Sequence, residues 1–269
     1  NAQAATTTAK LSATKVTVAA GTAKKQAKNI VVTIPSTWKS YKVTTSSSNK
    51  SVATARMCGK RTVKVTAVKK GSAKVTVKVT AKKSGKKVSK TLYANAKVIG
   101  AGLRFTSAPT DLAVGTEDKV VTKKCPSVAK VTYKSSDDAV ATVDANDGTV
   151  KAIKAGKVTI TATSDYANIV TTDINVKKAI LKSATQTEYN KIEAVIVGDT
   201  KDIKPSDITV TNTATKANVA VKSVSAKKGA ENTFVIETFT SMTDAKEYSV
   251  VYADSTAVFT ATNNTVAKA

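Results

Sequence analysis

Histidine is absent from the sequence, and its absence removes a large class of chemistry. Histidine is the general base of Ser-His-Asp and Cys-His triads and a common ligand of structural and catalytic metals. The two cysteines cannot complete a zinc site alone, and no serine stands in a Gly-x-Ser-x-Gly sequence. We therefore expect a protein that is not an enzyme and carries no cofactor.

Acidic residues are missing from the first 100 positions, where lysine and arginine together occur 22 times. The rest of the chain is nearly balanced, so this segment accounts for most of the net charge of +24. Without carboxylates, the segment cannot form internal ion pairs, use paired carboxylates in acid–base catalysis or ligate calcium through side chains. We expect ions or an anionic partner to meet its positive charge.

Long apolar runs and aromatic residues are also scarce. No stretch of 18 apolar residues occurs, so no membrane-spanning helix is predicted, and aromatic residues make up 4% of the chain. Residues 1–6 contain a small-residue Ala-x-Ala pattern typical of the end of a secretory signal. We interpret the chain as an exported protein of a bacterial cell surface whose signal peptide has been removed.

An internal repeat is the strongest pattern in what remains. The order Ser-Ser-(Asn/Asp)-x-x-Val-Ala-Thr begins at Ser47 and again at Ser135, and each copy continues into Lys-x-Gly-x-x-x-(Val/Ile)-Thr. Val52 thereby matches Val140, and Gly71 matches Gly156. Such a period marks tandem copies of one structural module.

Within each copy the polarity alternates with a period of two. Val75, Val77 and Val79 are separated by lysine and threonine, which predicts a half-buried antiparallel strand with a polar outer face. Asp147-Gly148 predicts a tight hairpin turn, and glycines such as Gly71 lie where one strand ends and the next begins. Short strands with regular turn signals favour β-sandwiches.

The repeated residues resemble the bacterial immunoglobulin-like group 2 domain, which occurs in tandem in surface-layer proteins and adhesins. The resemblance implies an all-β fold of tandem immunoglobulin-like β-sandwiches in an elongated arrangement. We predict domains at residues 1–100, 101–178 and 179–269. The third lacks the motif but keeps short strands at 208–210, 219–221, 234–236 and 248–252, with single helical turns near 206–207 and 241–245.

Two basic clusters of the first domain are the best candidate binding residues. They lie near the first turn and on a long hairpin around Ser84-Gly85. Their members are Lys24, Lys25, Lys28, Lys82, Lys83, Lys86, Lys87 and Lys90. Such clusters suit phosphate-rich or carboxylate-rich polymers, whereas the alternative is a solvated surface that keeps sheet edges from aggregating.

These observations predict a non-catalytic structural protein, namely a subunit or the wall-proximal part of a bacterial surface layer or related array. Its first domain would dock on an anionic cell-wall polymer such as teichoic acid, or on an acidic neighbour, while other contacts mediate self-association into a lattice or filament. Nucleic acid is disfavoured as a partner because neither a recognition helix nor a set of stacking aromatics is evident.

Two alternatives stay open at this stage. The chain could be an adhesin stalk or a glycan-binding accessory module, with Trp38 and Tyr41 as exposed sugar contacts, although Trp38 fits a core position better. It could also form a filament in which residues 4–18 complete a neighbour's sheet as a donated strand.

Metal binding and disulfide formation are weakly indicated. Asp144, Asn146 and Asp147 resemble half of a calcium loop, but they lack its glycine and its distant glutamate, and a glycine-closed hairpin explains them fully. Calcium at the junction near Asp111, Glu117 and Asp118 is another minor alternative. Cys58 and Cys125 fall in different predicted domains, and the sequence leaves open whether they are bridged.

Overall fold

The computed structural model describes residues 7–263 and 265–266, and nearly all of its regular structure is β-strand. Within these ranges the one helical element is the 3-10 turn Pro205–Asp207. The all-β class and the tandem immunoglobulin-like sandwiches predicted from the sequence are confirmed. Residues 1–6, on which the signal-peptide interpretation depends, lie outside the described residues.

Residues 10–100, which we call the first module, form two four-stranded sheets with a common core. The strands are β1 (Lys10–Leu11), β2 (Lys15–Ala20), β3 (Ala27–Thr33), β4 (Lys39–Ser47), β5 (Ala53–Gly59), β6 (Thr62–Ala67), β7 (Gly71–Lys83) and β8 (Lys86–Gly100). The sheet orders are β1-β3-β6-β5 and β2-β8-β7-β4, and we call the latter the cationic sheet. Val75, Val77 and Val79 are fully buried between the sheets, as their alternation predicts.

Residues 102–177, the second module, repeat this plan with shorter strands. The strands are β9 (Gly102–Ser107), β10 (Asp111–Ala113), β11 (Glu117–Lys119), β12 (Val121–Cys125), β13 (Val131–Ser135), β14 (Ala141–Val143), β15 (Thr149–Ala152), β16 (Gly156–Ser164) and β17 (Ile169–Lys177). They form sheets of order β12-β9, β10-β17-β16-β13 and β11-β15-β14. In both modules an edge strand joins its sheet in parallel, β2 beside β8 and β10 beside β17.

Residues 179–260, the third module, pair two antiparallel sheets around a separate core. The strands are β18 (Ala179–Glu188), β19 (Lys191–Gly198), β20 (Ile208–Asn212), β21 (Asn218–Val219), β22 (Val221–Ala226), β23 (Thr233–Thr238), β24 (Glu247–Tyr252) and β25 (Ser255–Thr260). Their orders are β18-β19-β23-β22 and β21-β20-β24-β25. The strand predicted at 219–221 is interrupted at Ala220, because β21 and β22 belong to different sheets.

The repeated sequence motif encodes a repeated turn. In the first module the carbonyl of Asn49 accepts bonds from the backbone N–H groups of Val52 and Ala53, and Asp137 makes the same two bonds in the second. The side chain of each Asx residue also caps the turn, since Asn49 Oδ1 accepts the N–H of Ser51. The motif therefore specifies backbone geometry, and its presence is a structural signal.

Glycine is favoured where β7 and β16 begin, because the backbone has a positive φ there and a Cβ would lie tightly against a valine methyl. Gly71 has φ of +153°, and a Cβ on it would lie 3.0 Å from a methyl of Val52. Gly156 has φ of +159°, and its Cβ would meet Val140 at 3.1 Å. The two valines of the motif thus pack against the two glycines that follow them, which explains why these residues recur together.

The hairpin predicted at Asp147-Gly148 differs from the expected tight turn. Residues 144–148 connect β14 to β15, and within this loop Gly148 adopts a positive φ of +79° whereas Asp147 does not. Asp144 closes the loop, since its Oδ1 accepts the N–H groups of Asn146 and Asp147. A side chain therefore provides the turn that two positive φ angles would otherwise supply.

The described residues separate into two compact units. One holds the described part of residues 1–106 with Thr122–Thr132 and Ala162–Val170, and the other holds Ser107–Val121, Tyr133–Thr161 and the described part of 171–269. Every sheet draws its strands from one predicted domain. The domain boundaries and the elongated arrangement nevertheless stay predictions.

Candidate functional site

The long basic hairpin is formed by the ends of β7 and β8. Ser84 and Gly85 occupy its turn with φ of +49° and +77°, the combination that favours a two-residue hairpin. The cross-strand register places Lys82 opposite Lys87 and Lys83 opposite Lys86. Like charges directly opposite one another destabilise a sheet, so this arrangement costs free energy in the isolated protein.

The five hairpin lysines divide between the two faces of the cationic sheet. Lys82 and Lys87 lie on the outer, solvent-facing side, since they alternate with the buried Ala81. The remaining three, Lys83, Lys86 and Lys90, lie on the opposite side, beyond the core. All five side chains are exposed. The structure thus brings the predicted hairpin residues to one end of the sheet without gathering them on one surface.

The second predicted cluster lies at the other end of the first module. This cluster, Lys24, Lys25 and Lys28, lies where β3 begins, near the end of β8. The hairpin turn lies at the other end of β7, a strand of 13 residues. At about 3.3 Å per residue the strand separates the clusters by roughly 40 Å. They do not form one site.

Lys24 is neutralised by the chain itself. Its Nζ lies 2.7 Å from Asp165 Oδ2 and 5.5 Å from the centre of the Tyr166 ring. The hydrogen bond to Asp165 raises the pKa of Lys24 above its ordinary value, and the same bond lowers the pKa of Asp165. Lys25 donates to the carbonyl of Gly21. Two of the three lysines in this cluster therefore have partners within the protein.

The two aromatic candidates do not form an exposed pair. Trp38 is 8% exposed and belongs to the core of the first module, and Tyr41 is half-buried against the same core. The backbone N–H of Trp38 donates to the carbonyl of Pro35, and this turn folds the indole under the loop. A sugar stacks on an exposed ring face, which Trp38 does not offer; the core alternative considered for this residue is the observed one.

A surface that the sequence analysis did not single out lies on the outer face of the cationic sheet. Lysine, threonine and serine alternate there with the buried valines of β7, and β2, β8 and β4 continue the pattern. Eight exposed lysines share this face. They are Lys15, Lys39, Lys42, Lys74, Lys78, Lys82, Lys87 and Lys97.

One end of this face is concave. A depression of about 470 Å³ is lined by three lysines together with polar side chains of neighbouring strands. Its polar lining is Lys15, Thr17, Ser48, Ser72, Lys74, Asn95 and Lys97. Across the strands, Lys15 and Lys74 flank Asn95, while Thr17 and Ser72 flank Lys97. We call this site the tri-lysine depression. Its signal in the sequence was the Lys/Thr alternation, which indicated a polar face but not its curvature.

The acidic candidates do not converge on a metal site. Asp111 contacts Lys177, Glu117 contacts Lys151, and Asp118 accepts its neighbour's backbone N–H. In the ranges that the structure describes, no group of three or more acidic, cysteine or histidine side chains is placed to hold a metal ion. Both cysteines are free thiols, Cys58 exposed and Cys125 half-buried.

No described segment folds into a helix with the length and apolar character that crossing a bilayer requires.

Comparison with known families identifies the second module. Residues 101–174 match the model of the bacterial Ig-like domain (group 2). The second module is therefore similar to group 2 domains, and we refer to it below as the group 2 domain. The match supports the resemblance drawn from the repeated motif, and the group 2 module therefore provides the reference against which the first module can be compared. No curated protein matches the chain.

Several solved structures match the chain at low identity and with low TM-scores. The I9–I11 tandem of titin is 11% identical over 97% of this chain and 100% of its own, with a TM-score of 0.35. Domains 4–9 of the surface layer protein SbsC are 20% identical over 99% of this chain and 48% of that fragment, with a TM-score of 0.35. This chain thus spans about half of the SbsC fragment.

A C-terminal intimin fragment, solved in complex with the intimin-binding domain of the translocated intimin receptor, is 19% identical over 68% of each chain. Its TM-score is 0.29. These likenesses add nothing to what the strands and sheets of this chain establish.

Proposed function

We propose that this chain is a non-catalytic extracellular structural protein, a subunit or the wall-proximal part of a bacterial surface layer or related array. The first module docks on an anionic cell-wall polymer or an acidic neighbour, and contacts elsewhere mediate self-association. The bond is multivalent and electrostatic, so many weak ammonium contacts add up to a stable attachment.

The charge of the first module carries this proposal. Its 22 basic residues face no acidic residue within the first 100 positions. Among the described residues, Lys24 is the one basic side chain of this module that forms an ion pair. Uncompensated charge of one sign destabilises a compact domain through self-repulsion, and an anionic surface relieves that cost.

The group 2 domain supports the structural part of the proposal. Tandem modules of this kind occur in surface-layer proteins and adhesins, in which they serve as scaffolds. The third module has ten basic and ten acidic residues between positions 179 and 269, and such a balanced surface suits contacts with other protein molecules.

Sedimentation with isolated cell walls tests the docking step. We expect the full chain to sediment with walls that retain their anionic polymer and not with walls stripped of it by acid. Attachment should weaken as the salt concentration rises from about 0.05 M to about 0.5 M, because the Debye length falls below the spacing of the surface charges over this range. Attachment that does not depend on the salt concentration would contradict the electrostatic mechanism.

A pair of charge-matched variants localises the attachment. The first replaces the five hairpin lysines, Lys82, Lys83, Lys86, Lys87 and Lys90, with glutamine. The second replaces five exposed lysines of the third module that form no ion pair, Lys182, Lys201, Lys216, Lys228 and Lys246. We expect the first variant to attach several times more weakly than the second. Equal losses would show that the total charge, and not the first module, controls docking. Electron microscopy of the purified chain then checks for ordered arrays.

A further inference from the structure

The parallel edge strands give a residue-by-residue equivalence between the first module and the group 2 domain. The backbone N–H of Asn95 donates to Thr14, and that of Asn175 donates to Thr110 in the same position of the parallel pair. The second serine of the motif aligns β7 with β16, because Ser48 Oγ accepts the backbone N–H of Lys74 and Ser136 Oγ accepts that of Thr159. The equivalences are Lys15 with Asp111, Tyr93 with Asp173, Asn95 with Asn175, Lys97 with Lys177 and Lys74 with Thr159.

In the group 2 domain two lysines of this face, Lys157 and Lys177, form ion pairs with carboxylates of the chain itself, and Asp254 is a further partner of Lys177 at 2.8 Å. Asp111 accepts a hydrogen bond from Asn175 Nδ2 at 3.2 Å, and its other oxygen lies 3.4 Å from Lys177 Nζ. Two residues before Asn175, Asp173 lies 2.9 Å from Lys157 Nζ and accepts the hydroxyl of Thr159 at 2.7 Å. At each of the two acidic positions a carboxylate therefore contacts an ammonium group, together with an amide at Asp111 and a hydroxyl at Asp173.

The first module keeps the donors that surround Asp111 and replaces both carboxylates, while at the second acidic position Ser72 stands in place of Lys157 and Lys74 in place of Thr159. Asn95 and Lys97 occupy the positions of Asn175 and Lys177, but Lys15 stands where Asp111 stands and Tyr93 where Asp173 stands. Lys74 adds a further ammonium beside Asn95. Three ammonium groups and an amide thus surround a position that an anionic group fills in the homologous module.

The geometry of the depression keeps these donors close together. Cross-strand neighbours have Cβ atoms about 5 Å apart, and residues two apart on one strand are separated by about 6.6 Å. Lys74 is held on the face, because its Nζ lies 5.1 Å from the centre of the exposed Tyr93 ring. The hydroxyl groups of Ser48 and Ser72 complete the rim.

We infer that the tri-lysine depression binds a phosphate group of a linear phosphodiester polymer with a polyol backbone. This inference rests on the proposed function and names the site and the ligand class for docking. The phosphate takes the place that the Asp111 carboxylate holds in the group 2 domain, contacted by Lys15, Lys74 and Lys97 and by the Asn95 amide. Lysine binds phosphate as a point charge, which suits a mobile polymer.

The rest of the face extends the site in one direction and argues for a polymer. Along β7, Lys74, Lys78 and Lys82 recur every four residues, or about every 13 Å. Threonine hydroxyls between them can bond to a hydroxylated backbone. Stacking of bases needs a row of free aromatic faces, and the exposed ring on this face, Tyr93, is covered by Lys74. These features favour a polyol phosphate over a nucleic acid.

Three single substitutions with the same charge change test the site. Lys15→Asp copies the residue of the group 2 domain and places a carboxylate in the depression. Two controls lie in the other sheet of the first module, Lys60→Asp in the turn between β5 and β6 and Lys10→Asp on β1. Binding of the full chain to synthetic poly(glycerol phosphate) is measured by calorimetry at low salt. We expect Lys15→Asp to weaken binding about tenfold, and the other two by less than about threefold.

Each outcome decides a separate point. Equal losses in the three variants would overturn the depression as the site and leave electrostatic docking intact. A wild-type chain that does not bind the polymer, although it sediments with cell walls, would overturn the ligand class. Tighter binding to duplex DNA than to poly(glycerol phosphate) under the same conditions would also overturn it. Failure of the wild type to bind either polymer or walls would refute the proposed function itself.

The expected fold stability of Lys15→Asp keeps the test interpretable. Residue 15 is exposed, and aspartate occupies the same position of the same strand pair in the group 2 domain. A Lys15→Gln variant, which removes the charge without adding a carboxylate, should bind with an intermediate affinity. Binding equal to the wild type in Lys15→Gln, with an unchanged thermal unfolding curve, would contradict a contact at this lysine.

Discussion

The first module and the group 2 domain are built alike and charged differently. Both begin their central strand at a glycine packed on a valine, and both add a parallel edge strand to the same sheet. On the matching faces, however, Lys157 of the group 2 domain pairs with Asp173 and Lys177 with Asp111 and Asp254, whereas the first module carries lysine and tyrosine at the positions of Asp111 and Asp173. The difference shows that one scaffold can present either a self-satisfied surface or a cationic one without altering its core.

The strongest test of the shared scaffold is a matched pair of core truncations. Val75 and Ile160 are equivalent and fully buried. Ile160→Ala should destabilise the second module by about 2–5 kcal/mol. Val75→Ala should cost the first module about 1 kcal/mol less, because one methylene fewer is removed. Hydrogen-exchange protection, read separately for peptides of each module, measures both effects. If the substituted module kept its protection and another module lost it, the two cores could not be equivalent.

The next largest effect is expected from acid, which should lower the stability of the second module more than that of the first. The hydrogen bond from Lys157 lowers the pKa of Asp173 below its ordinary 3.8. A group whose pKa is depressed by folding stabilises the protein above its unfolded pKa, and this contribution disappears as the pH falls through the folded value. The second module should therefore lose stability below about pH 4. Protection factors in the β7–β8 hairpin, which belongs to a module without carboxylates, should stay nearly constant. The variant Asp173→Asn should lessen the acid sensitivity of β16 and β17, and an unchanged acid response would refute this explanation.

The smallest effect is expected from a substitution that gives the second module one lysine of the first module's cationic face. Asp111→Lys gives the second module the lysine that the first carries at position 15. We expect the affinity of the full chain for poly(glycerol phosphate) to rise about twofold, the effect of one exposed ionic contact. Asp118→Lys makes the same change of charge on β11, outside this face, and serves as the control. Equal gains in both variants would mean that position on the sheet is irrelevant.

Much of the fold follows from local sequence signals. The alternation of Val75, Val77 and Val79 has the period of a strand and places its buried face correctly. The repeated Val-Ala-Thr turn specifies its own hydrogen bonds through neighbouring residues, so it is readable from sequence. The break at Ala220 was not readable, because it depends on which of two sheets receives each half of the strand.

The candidate site was less predictable, since it depends on contacts between distant residues. Clustering along the chain drew attention to Lys24, yet Asp165, 141 residues away, neutralises it. The tri-lysine depression joins Lys15, Lys74 and Lys97 from three strands. Their proximity requires the register of β2, β8 and β7, and no local pattern contains that register.

The paired lysines of the β7–β8 hairpin link folding to ionic conditions in an unusual direction. Lys82 opposes Lys87, and Lys83 opposes Lys86, so dissolved ions that screen charges relieve a repulsion inside the native structure. Added salt should then stabilise the hairpin while it weakens the proposed attachment to an anionic polymer. A bound anionic partner would screen the same repulsion, so we expect the hairpin to be most rigid when that partner is bound.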